Sequence, residues 1–432
     1  MLDKEQKAAV TAKENKIIVV AGAGSGKTRV ITERIKYLLE HGAKAANIVC
    51  ITFTNMAADE MIERLQGVKG IGDAFIGTIH SFANKVLKSS GSDEEFEIFN
   101  AEHNLMFHKY LIGKYCKHLV IDRWLKYEEL RQDELCGKKS EGEADRFLTP
   151  AERFELIMIE RDSADIPQGD QYPKSVDSLC KARNIITFDE LLRRAIKYFD
   201  EHNIYPEYVL VDELQDVGFL EYNFIKSLRA PNYYFVGDDF QSIYGFKGGN
   251  VEIFKGLVRD KNWATYWLNN NYRNSKSVLE TADIVISQVV EKLEKSVHAC
   301  NPHKGSVIVE TKGAIDNMLS ALVKDEKDFG SWFFLVRTNK QVFELMEKCR
   351  VHKVPAITFK REGMSLEALR GLMKSNAVKI LTVHASKGLE AENVLLYGNF
   401  PLVQPPYIRN EEERKVMYVG VTRAKENLVI LN

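Results

Sequence analysis

Eight residues, Ala21-Gly22-Ala23-Gly24-Ser25-Gly26-Lys27-Thr28, join an apolar run at Lys16 to Val20 to a helical pattern at Lys27 to Glu40, where Ile31, Ile35, Leu38 and Leu39 share one face. Strand, glycine-rich turn and helix in that order read as a phosphate-binding loop. Its glycines let backbone N–H groups wrap phosphate oxygens at the positive end of a helix. Lys27 is placed to reach the β and γ oxygens of a nucleotide, and the Thr28 hydroxyl to ligate Mg²⁺. Ala21 stands where the first glycine of the pattern is usual.

The rest of the chain agrees with a parallel α/β class. Short apolar runs recur at Asn47 to Ile51, Tyr208 to Val211, Tyr233 to Val236, Val307 to Glu310, Trp332 to Val336, Val378 to Thr382, Val394 to Tyr397 and Leu428 to Leu431. Amphipathic helical stretches alternate with them, which is the signature of strands joined by crossover helices. From about Glu94 to Lys181 the strands disappear and the sequence turns charged and helix-rich, as at Glu102 to Tyr115 and Ala151 to Arg161. The expected organisation is a first α/β domain from residues 1–93 and 182–263, a helical insertion at 94–181, and a second α/β domain at 264–432. At roughly 100 to 200 residues per domain, a chain of 432 residues holds two to four.

With 60 Lys+Arg against 61 Asp+Glu the net charge is −1, so no global basic field announces a nucleic-acid or membrane partner. Any such partner must be recognised by local chemistry. Six cysteines, at 50, 116, 136, 180, 300 and 349, form no CxxC pair and no zinc-binding spacing. The amino terminus lacks the basic-then-apolar run of a signal peptide, and no 18 consecutive residues are apolar. These features lead to the expectation of a cytoplasmic protein with reduced thiols and no membrane partner.

A phosphate loop needs an acidic residue at the end of a neighbouring strand, and Tyr208-Val209-Leu210-Val211-Asp212-Glu213 supplies two. Asp212 would hold Mg²⁺ through water, and Glu213 would orient or deprotonate an attacking water. Two adjacent carboxylates in this place point to hydrolysis of the nucleotide rather than binding alone.

Together with these, an ordered set of motifs resembles the superfamily 1A DNA helicases of the UvrD/Rep/PcrA type. Leu2-Asp3-Lys4-Glu5-Gln6-Lys7-Ala8-Ala9 resembles the Q motif, Ile51-Thr52-Phe53-Thr54-Asn55 motif Ia, and Gly77-Thr78-Ile79-His80-Ser81-Phe82 motif Ib. Asp212-Glu213-Leu214-Gln215-Asp216 is similar to motif II, Val236 to Gly245 to motif III, and Asn271-Tyr272-Arg273 to motif IV. Thr382 to Glu390 resembles motif V, and Tyr418 to Lys425 motif VI.

The resemblance implies two RecA-like P-loop NTPase domains with a helical insertion in the first, and an ATP-dependent 3′–5′ helicase that travels on single-stranded DNA. It implies that ATP and Mg²⁺ are used, that Gln6 reads adenine, that Arg29 and Tyr272 sandwich it, and that Glu390 meets the ribose. Arg273 and Arg423 would approach the γ-phosphate on cleft closure, and Gln241 would link that phosphate to the DNA track. Thr52, Phe53, His80, Phe188, Tyr244, Phe246, Lys247 and His384 stand where the family contacts the strand, aromatic rings supplying the grip. Phe53 and Phe188 could equally be core packing, and His80 and His384 satisfied interior histidines. A partner set follows: single strands, single/double-strand junctions, and proteins of replication, repair or recombination, with the chain a monomer associated with the nucleoid. The rival reading is a DNA-stimulated ATPase that strips proteins from single strands or serves a larger complex without unwinding alone.

Departures from the family pattern are local. Met56 replaces a common Lys in motif Ia, Phe246-Lys247 a Trp-Arg pair in motif III, and Ala391 the Phe after motif V. Between Val336-Arg337-Thr338-Asn339 and motif V, where full-length relatives carry a whole accessory domain, 2B, only a short stretch near 359–376 remains. Motif VI lies at the end of the sequence, so neither a partner-binding tail nor a nuclease is expected after it.

Overall fold

The computed structural model describes residues 2–89, 96–98, 120, 122–127, 130, 147–149, 152, 184–202, 205–245, 248–325, 328–359, 364–398, 400 and 411–432. The chain divides into two compact units, one formed by Met1–Ile79 with Ile204–Asn432 and the other by His80–Asn203.

The first unit contains two six-stranded sheets in which every pairing is parallel. The first consists of β1 (Lys16–Ala21), β2 (Ile48–Thr52), β3 (Phe75–Thr78), β4 (Tyr208–Val211), β5 (Asn232–Gly237) and β6 (Ala264–Leu268), in the order β3-β2-β4-β5-β1-β6. All five residues of β2 are buried, as are the last five of β1. Parallel strands covered on both faces read as unbroken apolar runs, which is why these were legible in the sequence. Helix Lys27–Glu40 lays Val30, Ile31, Ile35 and Leu38 into a core with Ile17, Val19, Leu210 and Val236.

The second sheet consists of β7 (Ser306–Glu310), β8 (Trp332–Val336), β9 (Ala356–Ile357), β10 (Val378–Thr382), β11 (Ala391–Tyr397) and β12 (Ala424–Leu431), in the order β7-β12-β11-β8-β10-β9. Side chains alternate along β8: Phe333 and Leu335 join a core with Val278 and Tyr418, while Phe334 and Val336 face Leu345 and Ile380 on the other side. Two parallel α/β sheets of this kind are the RecA-like pair that the resemblance implied.

Three features differ from the sequence reading. Ala264–Leu268, expected to open the second domain, pairs with β1 in the first sheet, Ile17 opposite Ala264 and Ala21 opposite Leu268. As an edge strand it is only half-buried, so its sequence carries no sign of the sheet it joins. Strand β3 was not anticipated, because Phe75–Thr78 is a short edge strand with one buried residue. The second compact unit takes in more than the 94–181 insertion, since it runs from His80 to Asn203. Its described parts include helix Phe188–His202, the pairing of Glu97–Ile98 with Ile185–Ile186, and a stack of Phe82 on Phe199 with centroids 6.4 Å apart. The helix expected at 102–115 lies outside the described residues, as do Phe246, Lys247 and all of 151–161 except Glu152.

The described residues of the stretch near 359–376 include a short helix, Leu366–Lys374, whose first turn is capped by the Ser365 hydroxyl accepting from Ala368 N at 3.2 Å. Arg370 on this helix forms a two-pronged pair with Glu63 on helix Asn55–Arg64. Among the described residues no helix is long and apolar enough to cross a membrane.

Candidate active site

In a parallel sheet the carboxyl ends of all strands emerge along one edge, and the loops that follow them build the site. At the end of β1 the chain turns through Gly24 at φ +65° and Gly26 at φ +89°, a region that side chains resist. Space is equally restrictive: a Cβ on Gly24 would lie 2.6 Å from Arg273 Cβ, and one on Gly26 2.9 Å from Gln6 Nε2. The loop is tied internally by Ser25 Oγ donating to Gly22 O at 2.8 Å.

Gln6 supports this loop from behind. Its Nε2 donates to Ser25 O at 2.9 Å and its Oε1 accepts from Asp3 N at 3.2 Å, closing a capping box on helix Lys4–Val10. Gln6 is 2% exposed and does not line the cleft in front of the loop. Ala21 and Ala23 also face the core, and Asn271 Nδ2 donates to Ala23 O at 2.8 Å. Gly22, Gly24, Ser25, Gly26, Lys27, Thr28 and Arg29 do line that cleft, whose volume is about 1050 Å³.

Asp212 and Glu213 follow β4 and reach the same cleft. Burial and the adjacent Glu213 charge push the Asp212 carboxyl well above the usual carboxylate range. Burial acts on Glu213 in the same sense, but Lys27 and Lys387 outweigh it and hold Glu213 below its ordinary value. Neighbouring carboxyls driven apart in this way take different protonation roles. Glu213 sits at φ +54°, a left-handed conformation costing of order 1 kcal/mol in a non-glycine residue. Its Oε2 accepts from Gln215 Nε2.

Cations reach the cleft from Arg423, directly before β12, and from Arg273, just after the short strand Asn270–Asn271. Arg423, 1% exposed, donates to Gln241 Oε1 at 3.3 Å and to the carbonyls of Val419 at 3.0 Å and Leu389 at 3.1 Å. Burial, aided by Arg273, pushes its guanidinium down to about 9. Arg273 lies beside the loop and is held by Glu390, with Nε to Oε2 at 2.6 Å. Glu390 is therefore an ion-pair partner here, also facing Lys425 at 3.4 Å. Tyr272 is 47% exposed on the cleft wall and donates its hydroxyl to Asp3. Gln241 Nε2 donates to Asp238 Oδ2 at 2.6 Å.

Of the strand-contact candidates, the rings of Phe53 and Tyr244 stack with centroids 5.0 Å apart. Tyr244 donates its hydroxyl to His384 O at 3.3 Å, and the two rings lie 6.0 Å apart. Thr52 is 3% exposed with its hydroxyl donating to Thr54 O at 2.9 Å, so it packs rather than presents a free group. In the other compact unit His80 meets Phe188 edge to face at 4.7 Å, and Phe188 is 51% exposed. Burial pushes the His80 imidazole down to about 4.

A folded-state value below the unfolded one means His80 contributes stability that is fully present above about pH 6.5 and is lost as pH falls towards 4. Thermal melts from pH 7 to 5 should therefore destabilise wild type more than His80→Gln. Parallel pH profiles would show that His80 is not a desolvated imidazole.

Sequence reasoning singled out neither Lys387 nor Asp216 as a site residue. Lys387, in the motif V stretch, pairs with Asp216, lies 3.6 Å from Glu213 Oε2, donates to Gln241 O at 2.9 Å and stands 5.1 Å from the Tyr244 ring centroid. Burial works against its charge, yet Asp216 and Glu213 prevail and lift it to about 12. The available signal was its position three residues before Glu390 within a motif already recognised.

Comparison with known proteins agrees with this geometry. The family model of the UvrD/REP helicase N-terminal domain matches residues 2–262, and that of the UvrD-like helicase C-terminal domain matches residues 359–432. A probable DNA helicase of Mycoplasma pneumoniae is 30% identical over 457 residues, an alignment covering 100% of this chain and 83% of that protein. The ATP-dependent DNA helicase PcrA of Bacillus subtilis is 31% identical over 68% of this chain and 41% of its own length, and DNA helicase II of Escherichia coli 30% over 68% and 42%. The chain thus spans less than half of the latter two relatives. A phosphate loop and paired carboxylates on one parallel sheet, faced by Arg273 and Arg423, in the motif order of these proteins, place the chain in the UvrD/REP family of ATP-dependent DNA helicases.

Proposed function

We propose that the chain is an ATP-dependent helicase and translocase that moves 3′ to 5′ on single-stranded DNA and couples hydrolysis to movement and unwinding. The observation that carries this reading is the convergence on one cleft of Lys27, Asp212 and Glu213 from the first sheet with Arg273, Lys387 and Arg423 from the region of the second. In this reading residues 1–93 and 182–263, joined by strand Ala264–Leu268, form domain 1A, 94–181 domain 1B and the remainder of 264–432 domain 2A.

Lys27 meets the phosphates, and Glu213, held ionised by two lysines, orients or deprotonates the attacking water. Arg273 leaves Glu390 for the γ-phosphate, while Arg423 is already joined to Gln241. Gln241 and Tyr244 lie three residues apart, so a shift at the phosphate reaches the Phe53–Tyr244 stack through one short segment. Thr28 and Asp212 offer the hard oxygen donors that suit Mg²⁺, and a buried carboxyl raised by its neighbour is relieved by a cation. When bound, Mg²⁺ supplies charge neutralisation at the phosphates.

The partners proposed are single-stranded DNA and its junctions with duplex, within the cytoplasm at the nucleoid. Replication, repair or recombination proteins would join them. The motor is proposed to act as a monomer, so its translocation rate per molecule should not change with protein concentration. A rate appearing only where the protein dimerises contradicts this.

ATP turnover with and without single-stranded DNA, followed by strand displacement on duplexes with 3′ or 5′ tails, tests the function. Stimulation together with displacement from the 3′ tail supports it, and turnover indifferent to DNA refutes it. The short interval between Arg337 and Thr382 favours a second reading, a DNA-stimulated ATPase that displaces proteins or serves a larger complex without unwinding alone. Stimulation without strand displacement would select that reading.

Tyr244→Ala should weaken single-strand binding by a factor of about five to a hundred, the value of roughly one to three kcal/mol for one stacked base. DNA stimulation of ATPase should fall with it. A lower melting temperature with stimulation intact would instead assign Tyr244 to the core.

A further inference from the structure

Among the described residues, Lys295 is a cation with a buried side chain, close to the phosphate loop, that the site described so far does not use. Lys295 follows helix Lys276–Ser287, stands 57 residues beyond Asp238, and has a side chain only 2% exposed. Its ammonium bonds Asp238 Oδ1, lies 2.6 Å from Asp239 Oδ1, and sits 3.9 Å from the centroid of the Phe240 ring. Three consecutive residues of the motif III stretch thus converge on one ammonium. Burying a lysine is costly unless such partners compensate it.

Asp238, fully buried, is the junction of the phosphate site. Its Oδ2 accepts from Gln241 Nε2 at 2.6 Å and lies 3.8 Å from Lys27 Nζ. Its backbone N–H donates to Gln215 Oε1 at 2.9 Å, and the other end of that amide holds Glu213. One carboxylate therefore faces two lysines, closely bonded to Lys295 and only loosely paired with Lys27. Asp239 points elsewhere with its second oxygen, accepting from Leu293 N at 2.8 Å, and Lys415 faces it electrostatically.

We infer that Lys295 is a positioning residue of the phosphate site, neutralising Asp238 so that Lys27 is free to move to phosphate while the Asp238 carboxylate stays fixed to orient Gln241. Coulomb attraction rises as the separation shrinks and the surroundings dry. Without Lys295, Asp238 would draw in Lys27, and binding phosphate would first require breaking a tight buried pair. The consequence falls on nucleotide affinity, which a purely structural counter-ion would not change. The inference rests on the ATPase reading above.

The test compares variants in steady-state ATP hydrolysis and in titrations with a fluorescent non-hydrolysable ATP analogue. Lys295→Met is expected to raise both KM for ATP and Kd for the analogue about tenfold. Adding Asp239→Asn restores the charge count of the buried cluster but leaves Asp238 gripping Lys27, so KM stays high. Adding Asp238→Asn instead releases Lys27, and KM returns to within about threefold of wild type while kcat falls because Gln241 has lost its charged acceptor. Should Lys295→Met alone fail to fold, the two double variants decide. A folded Lys295→Met enzyme with unchanged KM overturns the inference, as does equal recovery of KM by the two double variants. Absence of ATP turnover in wild type would instead overturn the proposed function.

Discussion

Glu213→Gln is expected to yield a folded protein that still binds ATP but turns it over about 10² to 10⁴ times more slowly, the usual contribution of a positioned general base. Lys27→Ala is expected to lose turnover together with tight binding. The difference follows from geometry. Lys27 opens the helix behind the phosphate loop with its ammonium in the cleft, whereas Glu213 leaves β4 in a strained left-handed conformation beside Lys387. Replacing Glu213 by its amide removes the charge but keeps the shape and the neighbouring Gln215. Single-turnover hydrolysis alongside analogue binding separates the two variants. Normal turnover in Glu213→Gln would remove it from the role of base.

Arg273→Ala and Arg423→Ala should each lower kcat by about 10³ to 10⁵, the value of an arginine brought to a transferring phosphoryl group. Their effects on stability should differ. Arg423 is buried, and truncation removes the donor to Leu389 O at a cost of about 1 to 3 kcal/mol, whereas Val419 O keeps the Thr422 hydroxyl at 3.1 Å. Arg273 has a half-exposed carboxylate as its main partner, and its loss should scarcely move the melting temperature. Arg423→Lys, which retains a charge, helps to separate folding from catalysis. Values of kcat within about threefold of wild type for both alanine variants, under 1 kcal/mol of barrier, would exclude the arginines from the reaction.

These experiments bear on a site whose parts were unequally legible. The phosphate loop announced itself because close backbone approach demands glycine at Gly24 and Gly26, and because Lys27 and Thr28 must follow at fixed offsets. Asp212 and Glu213 were readable for a similar reason, standing directly after a strand buried on both faces. Gln6 was marked by its motif, yet the fold shows its amide engaged by Ser25 and Asp3, which no spacing along the chain conveys. Glu390 was noticed for a different role from the ion pair it makes with Arg273.

Sequence alone determined the elements whose signals are local: strands with unbroken apolar runs, the crossover helices between them, the glycine turn, and the order of the motifs. Each is set by neighbouring residues through backbone conformation and side-chain period. Only the tertiary structure decided which sheet the half-buried strand Ala264–Leu268 would join, that Lys387 would stand between Asp216 and Glu213, and that Lys295 would lie beneath Asp238 and Asp239. Those contacts bring together residues far apart in the chain. Their energies come from pairing charges removed from water, which depends on the whole folded surroundings and leaves no periodic trace in the sequence.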